Sequence, residues 1–198
     1  MRWLRVALPA GAFVALAVVV AIWPDNALDR AATETLQRAT ALDGVFFVAS
    51  WFGNHVIDLI VPAVLFAGLL ALRWWREAAA FAVSVIGTAM LDTVTKWIVD
   101  RPRPGSPVHV LYHVTGSSYP SGHVTQYSAM FGVLAVIAAH RIARPWPRRT
   151  AVAACAILLV AVGPSRIYMG AHWLTDVIGG YLLGLAWVGT VTNFYKTR

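Results

Sequence analysis

The sequence predicts an all-α protein, a bundle of six membrane-crossing helices with a further interfacial helix in the first extracytoplasmic loop. Composition is the first observation behind this: of 198 residues, 59% are hydrophobic and 13% charged, and the mean hydropathy of +0.65 lies outside the balance of soluble domains. Apolar stretches that approach the roughly 20 residues a bilayer requires recur six times, which is the second. The third is the uneven placing of Lys and Arg in the loops between them.

Taken in order, the expected spans are Leu4–Trp23, His55–Leu72, Ala78–Ile98, Gly122–His140, Ala151–Gly163 and Thr175–Phe194. The first follows Arg2 and Arg5 as a secretory signal would. It runs into Ile22-Trp23-Pro24-Asp25 with no small-residue cleavage site, so it is expected to stay attached as a helix. Between the first two spans, Ala27–Ala41 places Leu28, Ala31, Ala32, Leu36 and Ala39 at helical spacing among polar residues. An interfacial packing helix fits that pattern, with admission of a lipid as its alternative role. The fifth stretch is short, and Thr150 and Pro164–Ile167 are expected to extend it. No linker, repeat or low-complexity tract divides the chain, so residues 1–198 read as one domain.

Assigning loops alternately to two sides puts Arg2, Arg5, Arg73, Arg76, Arg141, Arg144, Arg148, Arg149, Lys196 and Arg198 on one side, ten of the 16 basic residues. The positive-inside tendency makes that side, with both termini, cytoplasmic. The net charge of +7 raises the question of a nucleic-acid partner, but the basic residues form no run and no patch interleaved with aromatics. Topology accounts for them. Cys155 is the single cysteine and lies in an apolar run, which excludes an intrachain disulfide and suggests an inert thiol. Trp74, Trp75, Trp146 and Trp173 fall near span ends, where aromatic belts are ordinary.

Three short stretches carry the chemistry, and all fall on the extracytoplasmic side. In Lys96–Pro104 (KWIVDRPRP), Lys96 ends the third span and Arg103 follows beyond the helix-breaking Pro102. The two cations converge on one anion, or else greet lipid headgroups, or Lys96 pairs with Asp92 one turn earlier. In Pro120–His123 (PSGH), Ser121 is a natural N-cap, and Gly122 allows close backbone approach to an anion held by the free amides of the helix start. His123 alone reads more readily as a hydrogen-bonded interface residue. In Ser165–Asp176 (SRIYMGAHWLTD), if the sixth span's helix begins near His172, the i, i+4 spacing puts its imidazole and the Asp176 carboxylate on one face. Asp176 then holds one ring proton and frees the other nitrogen as a nucleophile, unless the pair merely satisfies a buried acid.

The whole pattern resembles the signature of the type-2 phosphatidic acid phosphatase superfamily: Lys, six residues, Arg-Pro; Pro-Ser-Gly-His; Ser-Arg, five residues, His, three residues, Asp. Tyr119 and Val124 depart from the commoner residues beside the second motif without touching a defining position. The resemblance implies a helical bundle that hydrolyses a membrane lipid phosphate through a phosphohistidine, with no metal and no cofactor. His172 would be the nucleophile, Asp176 its orienting partner and His123 the acid for the leaving oxygen. Lys96, Arg103, Ser121, Gly122 and Arg166 would cradle the phosphoryl oxygens. Substrate classes implied are undecaprenyl pyrophosphate, phosphatidylglycerol phosphate and phosphatidic acid, the first being the leading expectation. A lipid phosphotransferase on the same scaffold is one alternative. A transporter or lipid-binding protein is another, motivated by His55, Asp58 and Asp92 in or beside spans. His109 and His113 are four apart but lack a third metal ligand, and they read as loop residues.

Overall fold

Long apolar runs interrupted by Pro, Gly and Arg clusters become helices, some joined by short turns and one pair by the long loop over residues 100–121. The computed structural model describes residues 3–39, 44, 46, 55–106 and 108–196. Its helices are α1 (Leu4–Ile22), α2 (Ala27–Gln37), α3 (His55–Ala71), α4 (Trp75–Val99), α5 (Gly122–Arg141), α6 (Pro145–Tyr168) and α7 (Leu174–Lys196). There is no strand among the described residues. Five helices, α1 and α4 to α7, are long and apolar enough to cross a membrane, whereas α3 is a shorter apolar helix of 17 residues. The expected Ala27–Ala41 helix ends at Gln37, and its residues 40 and 41 lie outside the described part, as do Arg2 and Arg198.

The fifth span is longer than its apolar run suggested, reaching from Pro145 to Tyr168 straight through Pro164. Proline has no amide to give the carbonyl one turn back. Here the Tyr181 hydroxyl of α7 donates to that Val160 carbonyl at 2.9 Å and accepts from the Gly163 amide at 3.2 Å. A neighbouring side chain thus replaces the lost bond, the usual way a membrane helix tolerates proline. The consequence is positional: Ser165 and Arg166 sit in the last turn of a continuing helix.

Helix α5 is central, packed against α4, α6 and α7, with Phe81, Met130, Val133 and Ile137 in its buried core. Gly180 and Gly184 let α7 approach it closely. A Cβ on Gly184 would fall 2.4 Å from Ser128 Cβ, and one on Gly180 would fall 2.9 Å from the Ser121 carbonyl. Such small-residue seams are how helices pack without a hydrophobic drive. They bring the start of α5 beside the start of α7, where the Ser121 amide donates to the Asp176 carbonyl at 3.0 Å. At the far end of the bundle, Glu77 of α4 accepts from Arg141 Nε of α5 at 2.7 Å and from the Tyr195 hydroxyl of α7 at 2.6 Å.

Candidate active site

The ends of α4 and α6 and the starts of α5 and α7 meet at one end of the bundle. Helix α4 stops because Asp100 takes the left-handed conformation, φ 40°, with its amide on the Lys96 carbonyl at 3.0 Å. That turn sends Arg101 inward to full burial, and Pro102 then directs Arg103 to the wall of a cavity of about 470 Å³. Lys96, Arg103, Gly122, His123 and His172 line this cavity together. Ser121, Arg166 and Asp176 are buried and lie outside its lining. Asp58, Asp92 and Gln126 also face it.

His172 is held in one tautomer. Its Nδ1 lies 2.9 Å from the Ser118 carbonyl, which can only accept, so Nδ1 carries the proton. Its Nε2 lies 3.2 Å from Arg103 Nη1, which can only donate, so Nε2 presents a lone pair. Burial lowers the imidazole from 6.5 to about 4, with Arg103 and Lys96 adding to the effect and Asp176 opposing it. The ring is neutral at pH 7.

The expected Asp176 contact takes a different form. Helix α7 begins at Leu174, so His172 precedes it, and Asp176 Oδ2 stands 3.6 Å from Nδ1 while the Ser118 carbonyl is nearer. Asp176 instead reaches back to the Trp173 amide at 2.8 Å, the acidic half of a capping box. It also accepts from the Ser118 hydroxyl, and from Arg101 Nη1 at 2.5 Å.

The remaining cations differ in how much freedom they keep. Lys96 does pair with Asp92 along α4, and Gly122 makes room for that pair, since a Cβ there would stand 2.9 Å from Lys96 Nζ. Arg103 is pinned by the Gly116 carbonyl at 3.0 Å, Ser117 at 3.1 Å and Ala171 at 2.8 Å. Ser121 occupies the N-cap position of α5 but makes no side-chain cap bond. Among the described residues its Oγ and Arg166 Nη2 are buried donors without a partner, a set that suits phosphoryl oxygens. Asp58 and Asp92 each keep one unpartnered buried oxygen as well. His123 Nε2 lies 3.0 Å from Asp58 Oδ2, joining α5 to α3.

Sequence reasoning passed over Arg101, Ser118 and Asp29, and it read Asp58 only as a possible transport or packing group. Arg101 and Asp29 are separated by 72 positions, and no spacing rule connects them. A signal was available for Arg101: a second arginine two residues before Arg103 across a proline must point elsewhere.

With this geometry in place, comparison with known proteins is direct. The sequence profile of the PAP2 superfamily matches residues 77–198, and the chain belongs to that family. It is 29% identical over 172 residues to phosphatidylglycerophosphatase B of Bacillus subtilis, covering 86% of this chain and 82% of the relative. It is 29% identical over 156 residues to undecaprenyl-diphosphatase of Sulfolobus acidocaldarius, covering 76% and 69%. The crystal structure of a transmembrane PAP2-type phosphatidylglycerolphosphate phosphatase from Bacillus subtilis shares the fold, with a TM-score of 0.80 at 23% identity over 98% of this chain and 99% of that one. Together with five membrane-length helices, this makes the chain a multi-pass membrane protein.

Proposed function

We propose that this chain is a lipid phosphate phosphatase that works through a phosphohistidine on His172. The fixed tautomer of His172 carries the reading, because a neutral imidazole with its Nε2 lone pair beside Arg103 is poised to attack phosphorus. In the first step an Nε2–P bond forms and the P–O bond to the lipid breaks, while His123 gives a proton to the departing oxygen. Water then attacks phosphorus, passing its proton to His123, and the P–N bond breaks to release phosphate. Lys96, Arg103, Arg166, the Ser121 hydroxyl and the amides at the start of α5 stabilise charge gathering on the phosphoryl oxygens. These cations take the part a divalent ion often plays, and the reaction is written without one.

The substrate is a phosphomonoester or pyrophosphate of a membrane lipid, of the undecaprenyl pyrophosphate, phosphatidylglycerol phosphate or phosphatidic acid type. The names of the two relatives support the first two of these types. In this reading α3 completes six spans, α2 lies at the interface, both termini are cytoplasmic, and a single domain opens its site to the extracytoplasmic side, as the basic loops suggest.

The test is phosphate release from those three lipids in detergent micelles. His172→Ala should lower it by at least about 10⁴-fold while the protein stays monodisperse. Release undiminished in that variant removes His172 as nucleophile, and labelled acceptor in place of free phosphate makes the protein a transferase.

A further inference from the structure

Asp29 of helix α2 lies 72 positions from Arg101 in sequence, yet its side chain enters the buried network behind His172. Asp29 is 1% exposed, Arg101 2% and Asp176 0%. Each nitrogen of the Arg101 side chain is engaged on a fixed partner. Nε reaches the Pro24 carbonyl at 2.9 Å, and Nη2 reaches Asp29 Oδ2 at 2.6 Å. Nη1 is shared between Thr175 Oγ1 at 2.7 Å and Asp176 Oδ1 at 2.5 Å. Asp29 is equally saturated: Asn26 Nδ2 donates to it at 2.6 Å, the Thr175 amide at 2.9 Å and the Thr175 hydroxyl at 2.7 Å. The indole of Trp173 lies beneath the guanidinium, 5.9 Å from ring centroid to Cζ, and is itself tied to the Pro102 carbonyl at 3.1 Å.

A guanidinium between two carboxylates, each also bonded to the first turn of α7, fixes three elements in one register: α2, the turn after α4, and the start of α7. None of these bonds faces the cavity, and neither Asp29 nor Arg101 lines it. What the network reaches is Asp176, the carboxylate nearest to His172 on its proton-bearing side. Accepting the functional reading above, we infer that Asp29 and Arg101 are positioning residues of the reaction, through which α2 holds Asp176 against His172 and becomes part of the machinery that aims the nucleophile.

The charges around His172 give the inference a directional test. They are Asp176 on α7, Arg101 and Arg103 in the segment after α4, Lys96 on α4, His123 on α5, and Arg166 on α6, whose carbonyl accepts the His172 amide. Losing the positive charge of Arg101 leaves Asp176 less compensated. The imidazolium of His172 is then favoured and its titration midpoint rises. Losing the negative charge of Asp29 frees Arg101 to compensate Asp176 more fully, so the midpoint holds or falls. A scaffold role alone moves neither.

The experiment uses the full chain in detergent micelles, with Arg101→Met, Arg101→Lys and Asp29→Asn. Dioctanoyl phosphatidic acid hydrolysis gives kcat and KM, and ¹⁵N-histidine NMR follows the His172 titration, assigned with His172→Gln. Expected are a fall in kcat of about 100-fold for Arg101→Met and about tenfold for Asp29→Asn, with KM little changed. The His172 midpoint should move up in Arg101→Met and should not in Asp29→Asn, and Arg101→Lys should recover part of both effects. If Arg101→Met does not fold, the other two variants decide. Wild-type kcat and titration in folded Arg101→Lys and Asp29→Asn overturn the inference. So does activity lost only in proportion to folded protein, with His172 titrating as before. A wild type that hydrolyses no lipid phosphate sinks the functional reading instead, and the NMR titration then judges the network alone.

Discussion

At one end of the bundle Glu77 is buried between Arg141 and Tyr195; at the other, Asp176 is buried between Arg101, the Ser118 hydroxyl and the Trp173 amide. The two clusters use the same chemistry, a carboxylate taken out of solvent with a guanidinium and a hydroxyl to satisfy it. Both tie α7 to neighbouring elements. They differ in what stands next to them. Beside Asp176 is an imidazole whose Nε2 lone pair faces Arg103 on the wall of a cavity that also holds Lys96 and His123. Beside Glu77 are the rings of Trp74 and Tyr195 and no histidine in its bonds, with Arg141 5.4 Å from the Trp74 centroid. A buried ion pair is therefore not a mark of function in itself. What separates the two ends is the imidazole on a cavity wall beside Asp176, the group that changes its bonding in the proposed reaction.

Among cavity-lining residues other than His172, the largest effect on this contrast is expected from Arg103→Lys. Arg103 holds three loop carbonyls and approaches His172 Nε2 from one rigid fork. An ammonium keeps the charge but cannot serve four acceptors in that geometry. A fall in kcat/KM of about 100-fold is expected, close to 2.7 kcal/mol of transition-state stabilisation. Steady-state hydrolysis of a lipid phosphate checks it; an unchanged value means that charge alone, not the fork, is what the site requires.

How much of this was legible in the sequence follows from the range of the interactions. The motif residues were readable because helix periodicity and a proline turn place Lys96, Arg103, His123 and His172 at span ends on one side. The extension of α6 through Pro164–Ile167 was readable too, but its support was not, since that comes from the Tyr181 hydroxyl, 18 positions from Gly163 and 21 from Val160. Ser118, rather than Asp176, makes the nearer contact to His172 Nδ1 across 54 positions, and a backbone carbonyl leaves no trace in residue identity. Ser121 looked like a helix cap, and it does stand at the N-cap position, yet its hydroxyl makes no cap bond and has no partner among the described residues. Local rules reached the components, and tertiary contacts decided their roles.

A tenfold effect sharpens the comparison from within the site. Asp58 pairs with His123 at 3.0 Å, so Asp58→Asn keeps an acceptor near the ring and removes its charge. If the pair orients His123 as the acid for the leaving oxygen, kcat should fall by about tenfold for an alkyl phosphate, whose poor leaving group needs the proton. For an aryl phosphate such as p-nitrophenyl phosphate, the same variant should lose little. Equal losses on both substrates would assign Asp58 to packing or to phosphate exclusion instead.

The smallest effect on catalysis is expected at the opposite end, where it is most informative about what the buried carboxylate there does. Glu77→Gln preserves shape but leaves Arg141 and the Tyr195 hydroxyl without their charged acceptor. Three helices lose part of a clasp, and no cavity residue changes. Activity per folded molecule should stay within about twofold, while Tm falls by about 4 °C, the shift that roughly 1 kcal/mol gives in a chain of this size. Thermal unfolding in detergent, run beside the hydrolysis assay, separates the two quantities. Were activity to fall far more than stability, the two ends would be coupled along α5 and α7. The seam at Gly180 and Gly184, where those helices meet most closely, would then be the place to look for the connection.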